Sequence, residues 1–128
     1  MFRAEEPVTV VLETSAEAFA YCYYADGAGR VSRVFPNRFR RDARVGESRR
    51  VEIPGAAAGF ELVPDRPGTR EELSCLIAER EAGPDLAAVV AAEDLAPLPV
   101  RSLDEVAAAF RIAAGGFVET RLTVEVAP

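Results

Sequence analysis

The sequence predicts a mainly β fold, an antiparallel immunoglobulin-like β-sandwich of about seven strands with a helical insertion before the last strand. Three observations predict it. The segment from Ala20 to Phe39, AYCYYADGAGRVSRVFPNRF, sets two runs rich in aromatic and β-branched residues around a turn containing Asp26-Gly27 and Gly29. That arrangement is the main short-range signal for a β-hairpin. Short apolar runs recur between turn residues, and the first half lacks the crossover helices that a parallel α/β sheet needs. One stretch near the C-terminus carries a clear helical period with a cap.

Taken in order, Pro7–Glu13 alternates with Val8, Val10 and Leu12 on one face, as a half-buried strand does. Ala18–Tyr24 and Arg30–Phe35 form the hairpin. The second run breaks alternation at Arg33-Val34-Phe35, which predicts a bulge, and Phe35-Pro36-Asn37 stops it because proline supplies no ladder donor. Asn37–Ser48 reads as an arginine-rich loop, Arg49–Ile53 as a short strand ended by Pro54-Gly55, Ala56–Gly59 as a turn and Phe60–Val63 as another strand. Asp65-Arg66-Pro67-Gly68 is turn chemistry. Glu71–Glu79 fits helix or strand by period, and its place between turns favours a strand. Pro84 opens a short helix through Ala92, which Pro97 and Pro99 prevent from continuing. Ser102 with Glu105 makes a capping box; Leu103, Val106, Ala107 and Phe110 form one apolar stripe, and Gly115-Gly116 ends the helix. Phe117–Val126 is a final alternating strand, read with Leu122, Val124 and Val126 inward and Arg121, Thr123 and Glu125 outward. Val8–Leu12 and Leu122–Val126 are expected to pair or lie close together.

A length of 128 residues suits one domain, so the expected organisation is a single β-sandwich domain over residues 1–128, able to serve as one module of a larger protein. With 49% hydrophobic and 28% charged residues, the chain reads as globular rather than disordered. No apolar run approaches the ~20 residues that cross a bilayer, so no transmembrane segment is expected. The start, MFRAEEP, lacks the basic-then-apolar layout of a signal peptide. A periplasmic or envelope location is therefore expected only as part of an exported parent protein.

The net charge of −6 argues against nucleic acid as a partner, since such binding neutralises phosphates. All 15 basic residues are arginine, and lysine and glutamine are absent; with the many alanines, this reads as GC-rich bacterial codon usage. Histidine is also absent, which removes Ser-His-Asp and Cys-His machinery and every His-based metal site. Two cysteines cannot complete a Cys-only zinc site. No catalytic residue, metal or cofactor is expected.

The hairpin elements, in their order, resemble the bacterial family of domain of unknown function 4384. They are Tyr21-Cys22-Tyr23-Tyr24, Asp26-Gly27-Ala28-Gly29, Arg30–Val34 and Phe35-Pro36-Asn37. Val51-Glu52-Ile53-Pro54, Phe60-Glu61-Leu62 and Pro67-Gly68-Thr69-Arg70-Glu71 continue the likeness, which spans roughly Pro7 to Glu81. The resemblance implies a β-rich accessory module, often attached to bacterial protein kinases or envelope proteins. It implies no catalytic residue.

Four constellations remain. Cys22 and Cys75 are two buried thiols, or a disulfide across the sandwich that implies an oxidising compartment, or, least favoured, a catalytic thiol with no histidine to activate it. Arg38, Arg40, Arg41, Arg44, Arg49 and Arg50 stand against Asp42 and Glu47, a net +4 that leaves −10 for the rest of the chain. Such polarity suits an acidic partner surface, a phosphate or an anionic headgroup; the plainer reading is a solvated loop paired to the chain's own carboxylates. Tyr21 and Tyr23 share one strand face and Tyr24 the other, more as packing than as a recognition surface. Glu71 and Glu72 point to opposite faces and cannot converge on one substrate, and they are read with Glu79 and Glu81 as solvated surface. The expected function is a non-catalytic interaction module of a bacterial envelope or signalling protein that binds a protein partner, with the residue 38–50 loop and exposed sheet edges as contact surfaces. The alternative is a binding module for an anionic small molecule or glycan using the same arginines.

Overall fold

β2 (Ala18–Ala25) reads AFAYCYYA, an almost unbroken apolar run of the kind that suits a strand buried on both faces. It is the centre of the main sheet in the computed structural model, which describes residues 8–46, 50–54, 62–63, 68–81, 89, 92–113 and 116–125. β3 (Val31–Phe35), the two-residue β4 (Arg44–Val45) and β6 (Arg70–Ala78) all pair with β2 antiparallel. β7 (Phe117–Glu125) pairs antiparallel with β6, so the strand order is β3-β2-β6-β7, with β4 on the β3 side of β2. β1 (Val10–Leu12) and β5 (Val51–Ile53) form a second, two-stranded sheet, extended by a bridge between Val8 and Leu62.

The molecule is thus a β-sandwich of unequal sheets, with a helix before the last strand. Side-chain alternation along β2 divides its apolar residues between two cores. Ala20, Cys22 and Tyr24 meet the small sheet through Leu12, Val51 and Ile53. Tyr21 and Tyr23 face the opposite way, onto α1 (Leu103–Ala113), whose Leu103, Val106, Ala107 and Phe110 are all buried. The ring of Phe110 lies 5.5 Å from Tyr21, 6.3 Å from Tyr23 and 6.0 Å from Phe117, tilted or edge-on in each case, the arrangement that aromatic quadrupoles favour.

The hairpin turn rests on Asp26. Its Oδ1 accepts from the backbone N–H groups of Ala28 and Arg30, both at 2.9 Å, and Gly29 takes φ +83°, which a residue with a Cβ adopts only under strain. The bulge falls where alternation breaks: Cys22 opposes Phe35 and Tyr23 opposes Arg33, leaving Val34 as the extra residue. β3 and β5 each end at a cis X-Pro bond, Phe35-Pro36 and Ile53-Pro54. At the start of α1, Ser102 Oγ accepts from the Glu105 N–H at 3.2 Å. Glu105 Oε2 reaches back to the N–H of Arg101, one residue before the Ser102 position a capping box uses.

Several expectations need correction. The arginine-rich stretch is not wholly loop, because β4 lies within it; a two-residue strand has no period to detect. β1 pairs with β5 and β7 with β6, so of the two arrangements expected for the first and last strands, direct pairing does not occur among the described residues. In β7, Arg121 and Thr123 are exposed as expected, but Leu122, expected inward, is 45% exposed, as is its face-mate Val118 at 65%, while Phe117 and Glu119 on the helix side are half-buried. The cause is coverage. Among the described residues the small sheet's core takes in Leu73 and Cys75 of β6 but no residue of β7, whereas Phe110 of α1 packs on Phe117 at the start of β7. The turn expected at residues 56–59, most of the strand at 60–63, most of the turn at 65–68 and the helix at 84–92, apart from buried Val89 and half-buried Ala92, lie outside the described residues.

Candidate functional site

The arginine-rich segment begins on a rigid turn. Asn37 Oδ1 accepts from the N–H groups of Phe39 (2.9 Å) and Arg40 (3.0 Å), and its Nδ2 donates to the Val34 carbonyl at 2.8 Å. Backbone bonds between Asn37 and Arg40 run in both directions, at 3.0 and 3.1 Å. Asparagine favours such positions because its short amide mimics a further turn of backbone. Arg33, nearly buried, donates from Nε to the Pro36 carbonyl at 3.0 Å and so supports the turn from the strand side.

Arg38 is committed to Asp94. Its N–H donates to Asp94 Oδ2 at 2.6 Å, and its Nη2 donates to Asp94 Oδ1 at 3.0 Å and to the Asp94 carbonyl at 3.1 Å. Burial alone would raise the Asp94 carboxyl, but the side-chain and backbone bonds from Arg38 outweigh it and hold that group below the usual carboxylate range. The same bond raises the Arg38 guanidinium. Arg44 pairs with its neighbour Asp42 at 3.3 Å. Arg40 and Arg41 are exposed, and neither side chain pairs with a carboxylate among the described residues. Phe39, between them and Arg38, is 50% exposed. Arg50 is exposed and leads into β5, and Arg49 lies outside the described residues.

Beside the turn is a cleft of about 350 Å³ whose polar lining includes Arg33, Arg38, Arg41, Asn37, Glu81 and Asp94. Of the five described arginines among the six singled out by composition, the cleft gathers Arg38 and Arg41. Arg33 and Asp94 join them, and neither stood out in the sequence. Arg33 sits beside the bulge, where a strand redirects its side chains. Asp94 carries no local signal at all, being 56 residues from its partner.

Cys22 and Cys75 are opposite one another on β2 and β6 and are joined as a disulfide, with Cα atoms 4.1 Å apart. The bond links neighbouring strands of one sheet rather than the two layers of the sandwich, because both cysteines face the same core. Tyr21, Tyr23 and Tyr24 are all buried; the Tyr23 hydroxyl donates to the Val89 carbonyl at 2.6 Å. Glu71, read from sequence as solvated, is in fact 1% exposed and accepts a hydrogen bond from the Tyr24 hydroxyl. Strand parity places it on the small-sheet side of β6, where the phenol can reach it. Among the described residues there is no cluster of acidic and thiol groups suited to a metal, and no helix long and apolar enough to cross a membrane.

No curated protein and no solved structure matches the chain. The family of the domain of unknown function (DUF4384) matches over residues 1–81, which carry β1 to β6, the bulged hairpin, the arginine turn and both bonded cysteines. With that match spanning well over half of its length, the chain belongs to the DUF4384 family.

Proposed function

We propose that this chain is a non-catalytic interaction module of a bacterial envelope or signalling protein, and that it binds an acidic surface of a protein partner through the turn at residues 38–41. One observation carries the reading: exposed Phe39 is held among Arg38, Arg40 and Arg41 on a turn braced by Asn37. Aromatic and arginine side chains dominate binding hot spots, and a preformed turn loses little entropy on docking. The sequence has no histidine for acid–base or nucleophilic work at neutral pH. A cross-strand disulfide suits an oxidising compartment, which favours the envelope over the signalling setting.

The test is capture from a lysate of the source bacterium with the chain immobilised. Phe39→Ala and the pair Arg40→Glu with Arg41→Glu should each remove the captured partner, and added salt should weaken capture. Unchanged capture by both variants would place the binding surface elsewhere. A second reading, an anionic small molecule or glycan fragment in the adjoining cleft, draws on Arg33, Arg38 and Arg41 around one opening. It ranks below the first because Asp94 and Glu81 line the same cleft and Asp94 already holds Arg38. Saturable, salt-sensitive shifts of Asn37 and Arg41 amide resonances on titration with inorganic phosphate would favour it.

A further inference from the structure

The main sheet has two edges, and they are treated differently. Along β3 the strand's outer carbonyls are already bonded: Leu95 N–H donates to the Arg33 carbonyl at 2.9 Å and Leu98 N–H to the Val31 carbonyl at 2.8 Å. β7, at the other end of the sheet, is nine residues long and pairs only with β6 among the described residues. An edge of that length with no partner among the described residues is a template for another strand. Its open face is also apolar, with Val118 65% and Leu122 45% exposed beside half-buried Ile77.

The sequence of β7, FVETRLTVE, is complementary to itself read backwards. With Thr120 opposite Thr120 of a second copy, Val118 falls opposite Leu122, and Glu119 falls opposite Arg121, each contact occurring twice. The apolar pairs lie on the open face and the ionic pairs on the helix face. Shifting the two-fold centre by one residue places Glu119 against Glu119 or Arg121 against Arg121, and directly opposed like charges disfavour both registers. We infer that β7 is a dimerisation edge, joining two copies of this chain antiparallel about Thr120 into one continuous sheet. Glu119 and Arg121, bonded to each other at 2.7 Å, with Ser74 and Asp104 at 2.6 Å, are already ordered on the strand, so little freedom is lost when they meet their counterparts. The contact is isologous and closes with two copies. Because the arginine turn follows β3 at the opposite edge, the dimer carries two such turns at its far ends; the dimer itself does not depend on what those turns bind.

Sedimentation equilibrium of the full chain tests this, with far-UV circular dichroism confirming that each variant is folded. The wild type should dimerise reversibly. Glu119→Arg and Arg121→Glu should each weaken the dimer about tenfold or more, by turning two attractions into repulsions. An equimolar mixture of the two variants should regain it, since opposite charges then meet across both contacts. Thr120→Cys should yield a covalent dimer on a non-reducing gel under mild oxidation, with peptide mapping placing the bond between the two residues 120 rather than at Cys75, which lies opposite on β6, whereas Val118→Cys, opposite a leucine, should not; this arm stands even if a charge variant fails to fold. A wild type that stays monomeric at its highest soluble concentration, or a dimer that neither charge reversal weakens and Thr120→Cys does not trap, would overturn the inference.

Discussion

At Asp94 two opposing effects act on one carboxyl. Burial disfavours its charge, and a fork of bonds from Arg38 favours it more strongly, so the native group ionises at lower pH than its unfolded counterpart. The stability this contributes is complete above the unfolded value of about 3.9 and is lost as acid carries the pH down through the depressed native one. Glu119, where the bonds from Ser74 and Arg121 again outweigh burial, shifts the same way. Urea unfolding of the wild type and Asp94→Asn should therefore show a wild-type advantage at pH 7 that shrinks below about pH 4. An advantage independent of pH would mean that the Asp94 side chain acts by packing rather than by charge. Neither Asp94 nor buried Glu71 was legible in the sequence. A carboxylate's burial depends on a partner far along the chain, and no local pattern encodes that partner.

Among the elements, α1 shows how far local chemistry reaches. Its cap at Ser102 and its stripe of Leu103, Val106, Ala107 and Phe110 were readable from spacing alone, and the structure buries the whole stripe. Phe110 is fully buried and touches three aromatic rings. Phe110→Ala should cost about 3–5 kcal/mol in equilibrium unfolding, the range for removing a buried aromatic from a core. A loss under about 1 kcal/mol would show that the helix contributes little to the sheet's stability. β7 marks the opposite case. Its strand character was evident and Arg121 and Thr123 are exposed as read, but Leu122, read as inward, is exposed, because alternation says that the two faces differ and not whether either is covered.

For the molecule as a whole, the cysteine pair ties the central strands of the main sheet across 53 residues of sequence. Chain-entropy reasoning for a loop of that size gives a stabilisation of about 4 kcal/mol, at the upper end of the usual 2–4 kcal/mol. Reduction, or Cys22→Ala with Cys75→Ala, should lower the unfolding free energy by about 2–4 kcal/mol while leaving far-UV circular dichroism unchanged below the transition. A reduced protein as stable as the oxidised one would make the bond incidental to folding. The family match ends at residue 81, yet Tyr21, Tyr23 and Leu76 within it are covered by Leu103, Val106 and Phe110 beyond it. The later segment therefore completes a core that the matched segment leaves half built.

Turn residues, the break in alternation at Val34, the cap at Ser102 and the helical stripe were readable along the chain because each depends on neighbours a few residues away. From them came the β class, the hairpin and the helix before the last strand. The pairing of β1 with β5, the short β4, the Arg38–Asp94 bond and the open face of β7 arose only in the folded molecule. Each joins or exposes residues widely separated in sequence, and what selects them is which surfaces are left to cover once the central strands have paired.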